Sequence, residues 1–325
     1  MSFASRFTSR RRALTAAGTA VVLAATLAAC GSSKDSGPSM SGMDHDSKPS
    51  VSASAAGEDR DHGSMPGMDH GGMDHGGMGD GGMDHGGMGD GLADAKDGYE
   101  LTSTTTALPA GEKAAYRFRI TGPDGKPVTR FAVDQTKRMH FYAIRSDLTG
   151  FQHLHPTMGD EGTWTADLAA LKPGKWRMYA SFIPDDGPGK GKDLVLSRTV
   201  TAPGDARRTP LPAAATSADV DGYTVTVKGD LTAGTTHPMT VGVSKGGKPV
   251  TDLQPYLETY AHLTAFHEGD QAFAHLHPRT EVKGDTGGPD LGFRAMLPKS
   301  GNWRLFLQFR TGGTLHTAAL TLRVG

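Results

Sequence analysis

The sequence predicts an all-β fold, with two tandem antiparallel sandwiches following a disordered tether. Three observations predict it. The last part of the chain, about 230 residues, or two ordinary small domains, repeats a set of short motifs in one order. Within each copy, apolar and polar residues alternate with the period of a strand. The segment from Gly31 to Lys96 has almost no aromatic or β-branched residues. It cannot bury enough apolar surface to offset the entropy of ordering.

The repeat is explicit. Asp97-Gly98-Tyr99 recurs as Asp221-Gly222-Tyr223, and Leu108-Pro109-Ala110-Gly111 as Leu231-Thr232-Ala233-Gly234. Gly125-Lys126-Pro127-Val128-Thr129 recurs as Gly247-Lys248-Pro249-Val250-Thr251, and His153-Leu154-His155-Pro156 as His275-Leu276-His277-Pro278. Lys175-Trp176-Arg177 returns as Asn302-Trp303-Arg304. A conserved order at nearly constant offset is the signature of a duplication. The boundary falls in the Pro- and Ala-rich stretch 201–215, giving copies at 97–204 and 205–325.

Each copy reads as strands. Tyr116, Phe118 and Ile120 alternate with Arg117 and Arg119. Trp176, Met178, Ala180 and Phe182 alternate with Arg177, Tyr179 and Ser181, and Trp303, Leu305, Leu307 and Phe309 hold the matching positions in the second copy. Turn signals recur at Gly122-Pro123-Asp124-Gly125 and Ser244-Lys245-Gly246-Gly247. Short strands separated by such turns predict a sandwich in each copy. Neither copy carries a convincing amphipathic helix.

Three histidines occur in each copy at one spacing: His140, His153 and His155, then His262, His275 and His277. A turn at Ser146–Thr149 or at Gly269-Asp270 makes each set a β-hairpin. The hairpin register pairs His140 with His155, Tyr142 with His153 and Ile144 with Phe151. In the second copy it pairs His262 with His277, Thr264 with His275 and Phe266 with Phe273. All three imidazoles of a copy then share one face, while Phe141, Ala143 and Leu154, or Leu263, Ala265, Ala274 and Leu276, turn to the core. A slip of one residue would destroy the arrangement. Three neutral imidazoles suit Cu(II) or Zn(II). Met158 is a candidate soft ligand beside the first set, and His267 and His316 are candidate additions to the second. His237, before Pro238, reads as a turn residue. The six histidines also fit a plainer role, hydrogen bonding within the strands, since duplication copies structural residues too.

The tether, 31–96, carries its own repeat. Met68-Asp69-His70 is followed by Met73-Asp74-His75, Met78, Met83-Asp84-His85 and Met88, with Met43-Asp44-His45 upstream. Thioether sulfur suits Cu(I), and imidazole suits copper and zinc. Paired glycines let the chain double back so that several such groups reach one ion. Met68, His70, Met73, His75, Met78, Met83, His85 and Met88 are therefore candidate ligands of a loose copper site. A flexible tether enlarged by repeat slippage would have the same composition.

Residues 1–30 read as an export signal. Arg6 and Arg10-Arg11-Arg12 precede an Ala-rich apolar run from Ala13 to Ala29 that ends at Cys30. Leu27-Ala28-Ala29-Cys30 resembles the lipobox of bacterial lipoproteins, which implies a diacylglycerol on the Cys30 sulfur and a membrane anchor. Ser9-Arg10-Arg11-Arg12-Ala13-Leu14 is similar to a twin-arginine signal, with Ala13 where that motif prefers Phe. Cys30 is the only cysteine. The rest of the chain can form no internal disulfide, thiolate metal site or blue-copper centre.

The Gly-Lys-Pro-Val turn, the later histidines and the Trp strand together resemble the small immunoglobulin-like domains of bacterial envelope copper proteins, of the CopC-like and YtkA-like kind. The whole layout of lipobox, Met/His/Asp tract and paired His-Leu-His-Pro domains is similar to a group of actinobacterial secreted lipoproteins. The resemblance implies two immunoglobulin-like sandwiches outside the cytoplasm.

A net charge of -1 and the absence of a basic domain exclude a nucleic-acid partner. The leading expectation is a lipid-anchored envelope protein that binds copper, as Cu(I) or Cu(II), with zinc as second candidate. It would buffer or sequester the ion or hand it to an envelope metal-handling partner. The alternative is a tethered adhesion or scaffold module with structural histidines. An enzyme is not expected, because no nucleophile elbow, metalloprotease helix or placed general base occurs.

Overall fold

The computed structural model of the protein describes residues 89–325. The segment read as an export signal, Cys30 and the Met/His/Asp tract through Met88 lie outside the described residues. The described residues are all-β, with two short 3-10 turns at Asp160–Gly162 and Gly187–Gly189. No helix among them is long and apolar enough to cross a membrane.

The first copy contains β1 (Ala95–Lys96), β2 (Tyr99–Thr102), β3 (Ala114–Thr121), β4 (His140–Arg145), β5 (Gln152–Leu154), β6 (Thr157–Met158), β7 (Trp164–Leu168), β8 (Gly174–Phe182) and β9 (Leu194–Ala202). They form two sheets, in the orders β1-β2-β3-β7-β6 and β5-β4-β8-β9. The second copy contains β10 (Ser217–Val220), β11 (Tyr223–Lys228), β12 (Thr236–Lys245), β13 (Lys248–Pro249), β14 (Ala261–His267), β15 (Phe273–Pro278), β16 (Asp290–Met296), β17 (Gly301–Thr311) and β18 (Thr314–Val324). All pairings between these strands are antiparallel, as in an immunoglobulin-like sandwich.

The His-Leu-His-Pro motif is where a strand passes from one sheet to the other. β15 pairs with β14 through Phe273–Leu276 and with β16 through His277 and Pro278. In the first copy the crossing is broken. β5 pairs with β4, β6 pairs with β7, and His155 and Pro156 lie between. Proline brings no N–H to a ladder, which suits such a break. The duplication extends to side chains. Trp176 Nε1 donates to the Lys172 carbonyl at 2.8 Å and Trp303 Nε1 to the Lys299 carbonyl at 2.9 Å.

The alternation in the sequence sorts the cores as expected. Tyr116, Phe118, Ile120, Trp176 and Met178 fill the first, and Trp303, Leu305, Leu307 and Phe309 the second. The expected hairpin register also holds. Tyr142 lies opposite His153, Thr264 opposite His275 and Phe266 opposite Phe273.

Both faces of β4 and β14 are buried. Their second faces meet in a third core that joins the copies: Tyr142, Ile144, Leu148, Tyr179 and Val195 from one, Phe266, Phe273 and Phe306 from the other. Phe151 stacks on Phe306 with centroids 4.2 Å apart. The linker after β9 is fastened to the first copy. Arg145 and Asp147 form a buried ion pair, the Thr209 N–H donates to Asp147 Oδ2 at 2.8 Å, and Arg145 reaches the Arg207 carbonyl.

Ordered packing begins earlier in the sequence than its composition indicates. Residues 90–96, expected to be disordered, are packed. The Phe273 N–H donates to the Asp90 carbonyl, Ser197 Oγ donates to the Gly91 carbonyl, and Leu92 packs against the second core. Asp90 also pairs with Lys299 at 3.1 Å. Backbone hydrogen bonds to the neighbouring strands, Leu92 and the Asp94–Arg198 and Asp90–Lys299 ion pairs fix this polar stretch.

Candidate metal centre

The even-numbered residues of β4 and β14 point into the seam between the copies, so the two histidine sets are not separate sites. All six imidazoles form one cluster. His140 is 2 % exposed and His262 is 1 % exposed, while His153, His155, His275 and His277 are half-buried at the rim.

The ring nitrogens are oriented by fixed partners. His140 Nε2 lies 3.1 Å from the Asp134 carbonyl oxygen, which can only accept. The proton is therefore on Nε2 of the neutral ring, and Nδ1 presents a lone pair. His153 Nδ1 donates to Gln308 Oε1 at 2.7 Å, and His262 Nδ1 donates to Gln135 Oε1 at 3.0 Å. Each glutamine reaches across the seam, so each copy orients an imidazole of the other. The opposite nitrogens point inward, and one ring nitrogen from each of His140, His153 and His262 lies within 4.8 Å of the others. His140 Nδ1 and His153 Nε2 are 3.1 Å apart. Two nitrogens on one tetrahedral ion, each at 2.0–2.1 Å, would be roughly 3.3 Å apart.

His155 lies next to this group. Its Nε2 is buried without a hydrogen-bond partner. Its ring lies 5.1 Å from that of His140 and 4.8 Å from that of His153. His262 lies 5.7 Å from His140 and 4.6 Å from His153, and the His140–His153 separation is 5.4 Å. Imidazoles sharing one tetrahedral ion have centroids roughly 5 Å apart. The nitrogens of His140, His153 and His262 thus fit one ion, with two donors from one copy and one from the other, and His155 lies beside this group. His275 lies 4.5 Å from His262, and His277 lies 4.7 Å from His275.

The electrostatics keep these rings neutral. Burial pushes His140 below its ordinary value, against the Asp134 carbonyl, which raises it. Burial pushes His153 and His262 well down, and the neighbouring imidazoles push in the same direction. His155 falls to about 4, from burial and then from His140 and Lys137. Neutral imidazole is the form that binds a metal.

Several expectations are corrected. Met158 lies in β6 and packs against the first core, so it offers no ligand to the cluster. His267 is held by Asp270 at 2.7 Å and by the Ser300 carbonyl at 3.0 Å, packed on Trp303. His316 is held by Asp221 at 2.8 Å and Thr311 at 3.0 Å. Neither contributes to the cluster. His237 is a strand residue of β12, opposite Ala295, and not a turn residue. Met68, His70, Met73, His75, Met78, Met83, His85 and Met88 lie outside the described residues.

Gln135, Gln308 and Tyr142 contact the histidines and carry little signal in the sequence. Gln135 sits in a turn where it and Thr136 have positive φ, as Leu257 and Glu258 do in the second copy. The turn recurs, but the glutamine does not. Tyr142 is marked only by its register opposite His153. Its hydroxyl donates to His262 Nε2 at 3.1 Å, and its ring stacks on His153 at 4.4 Å.

Fold and cluster together define a two-domain, immunoglobulin-like β protein with a histidine centre in the interdomain seam. The chain belongs to the family described as a domain of unknown function, DUF8832, which matches residues 93–193 and 218–325, one span in each copy. Among solved structures it is similar to FdeC, a broadly conserved Escherichia coli adhesin, with 15% identity, 71% of this chain and 65% of that one covered, and a TM-score of 0.23. It is also similar to InvD of Yersinia pseudotuberculosis (14%, 71% and 59%, 0.23). The N-terminal Ig1-2 module of the Drosophila receptor tyrosine phosphatase DLAR matches at 11%, with 70% of this chain and 98% of that module covered and a TM-score of 0.19. The chain spans less than two thirds of the length of FdeC and InvD. No curated protein matches it.

Proposed function

We propose that this protein is a lipid-anchored, extracytoplasmic metal-binding protein that holds copper, with zinc as the competing ion, in the seam between its two sandwiches. It would buffer or sequester the ion, or pass it to an envelope metal-handling partner, by ligand exchange and without chemistry on a substrate. The observation that carries the reading is the convergence of the inward nitrogens of His140, His153 and His262, each backed by an oxygen acceptor on its other nitrogen. Metal-binding histidines characteristically donate their second N–H to such an acceptor. An all-imidazole set suits Cu(II) or Zn(II), and the Met/His/Asp tract would add softer capture of Cu(I). The anchor and the compartment rest on Leu27-Ala28-Ala29-Cys30 and the basic, apolar segment before it.

The test is a titration of the chain with Cu(II) and Zn(II), read against chelators of graded affinity. His140→Ala/His153→Ala/His262→Ala is the comparison, and its melting transition shows that it folds. A saturable site present in the wild type and lost in the folded variant is expected. Equal binding by both would overturn the seam site and leave any metal function to the tract. If the triple variant does not fold, His153→Asn alone serves, because His153 is only half-buried.

A further inference from the structure

The nitrogens that converge belong to His140, His153 and His262, and the seam contains six imidazoles. His275 and His277 stand outside that group on the second copy, and their placement gives them a different role. From the rim inward, the ring centroids run His277 to His275 at 4.7 Å, His275 to His262 at 4.5 Å and His262 to His153 at 4.6 Å. Exposure falls from the outer pair to His262 and rises again at His153, which is half-buried. His277 and His275 are half-buried, and His262 is 1 % exposed. The two outer rings lie on a strand whose His-x-His spacing puts both side chains on one face. That face is the one occupied by Thr264, Phe266 and His262.

We propose that His275 and His277 form an outer loading site for a divalent transition ion, and that the ion passes from it to the inner site of His140, His153 and His262 through His262, which belongs to both. The proposal rests on the metal-binding reading of the cluster. Each step forms one nitrogen–ion bond before another breaks, and the oxidation state is unchanged. Adjacent sites that share a ligand lower the cost of leaving water, because the ion never loses all its donors at once. The arrangement also explains why the second copy keeps two histidines that the inner site does not need. His277 and Pro278 pair with β16, so this arm is held in a continuous strand, whereas its counterpart His155 sits at a break between β5 and β6.

The experiment follows Cu(II) loading by stopped flow. The readout is the absorbance band of the inner site, identified as the band lost in His140→Ala/His153→Ala. His275→Ala/His277→Ala in the full chain should keep an inner-site affinity close to wild type and load about tenfold more slowly or worse. Loading at the wild-type rate would overturn the proposal, because ions would then enter by another route. A loss of equilibrium affinity as large as that of His153→Ala would also overturn it, because both residues would then be inner ligands. His275→Gln/His277→Gln, which retains polar side chains of similar length, replaces the alanine variant if that one does not fold. Absence of the band in the wild type would instead refute the inner site itself, a separate failure.

Discussion

His140 Nδ1 faces His153 Nε2 across 3.1 Å, and with the protons placed by the Asp134 carbonyl and the Gln308 amide oxygen, both nitrogens present lone pairs. Facing lone pairs repel unless a proton or cation lies between them. Gln308 holds half of this relationship in place from the opposite copy. Gln308→Ala should weaken Cu(II) or Zn(II) binding by about 10–100-fold, the usual effect of losing such an outer partner. Gln308→Glu should restore binding, because its carboxylate accepts the same N–H. Chelator competition measures both, and an affinity that Gln308→Ala leaves unchanged would mean that the amide does not orient the ring.

Tyr142 acts in the opposite direction. Burial pushes its hydroxyl well above the ordinary value, so it stays protonated and donates to His262 Nε2. An ion using that nitrogen must displace a hydrogen bond of about 1 kcal/mol. Tyr142→Phe keeps the ring in the shared core and removes the competitor. Metal affinity should rise roughly fivefold, and the stripped protein should be less stable by a similar energy. Weaker binding in the variant would identify the phenol as a ligand.

The depressed histidines set a pH dependence for the stability of the protein without added metal. In the unfolded chain an imidazole protonates near pH 6.5. Folded, His155 protonates only near 4, and His140, His153 and His262 are also shifted down, chiefly by burial. Between these limits the unfolded state binds more protons, so stability falls as pH falls. Stability is fully present above about pH 6.5 and is lost progressively toward pH 4 and below. Denaturant titrations at pH 7.5, 6 and 5 measure it. With His155 and His153 replaced by Gln, the decline should be shallower, and an identical decline would place the effect outside the cluster.

Much of this centre is written in the sequence because strand periodicity is local. The register that puts His140, His153 and His155 on one face follows from the turn position and the Tyr142–His153 pairing. The structure keeps that register in both copies. Periodicity identifies the face but not what covers it. Tyr179 and Ser181 alternate with core residues as solvent-facing positions do, yet both are buried, and Phe266 and Phe273 of the other copy pack on Tyr179. That packing merges two sets of three into one cluster of six. The glutamines were not legible for a related reason. Gln135 and Gln308 contact histidines 127 and 155 residues away, and nothing local requires an amide at either position.

The shared core makes the centre depend on the interface. Phe306 is 5 % exposed and stacks on Phe151 of the other copy. Phe306→Ala should cost about 3–5 kcal/mol, as for a large aromatic removed from a packed core. If the copies fold as one unit, that cost appears in a single melting transition. An ion held by His140 and His153 from one copy and His262 from the other binds only the docked pair. At a hundredfold excess over its dissociation constant, it should stabilise that pair by about 2.7 kcal/mol. Copper should therefore raise the melting temperature of both the wild type and Phe306→Ala, and the variant should bind the ion more weakly because part of the binding energy goes into docking. Calorimetry with and without Cu(II) measures all three. If the variant melts in two steps, with copper leaving the lower step unmoved, the ion is held within one copy and the seam is only a packing surface.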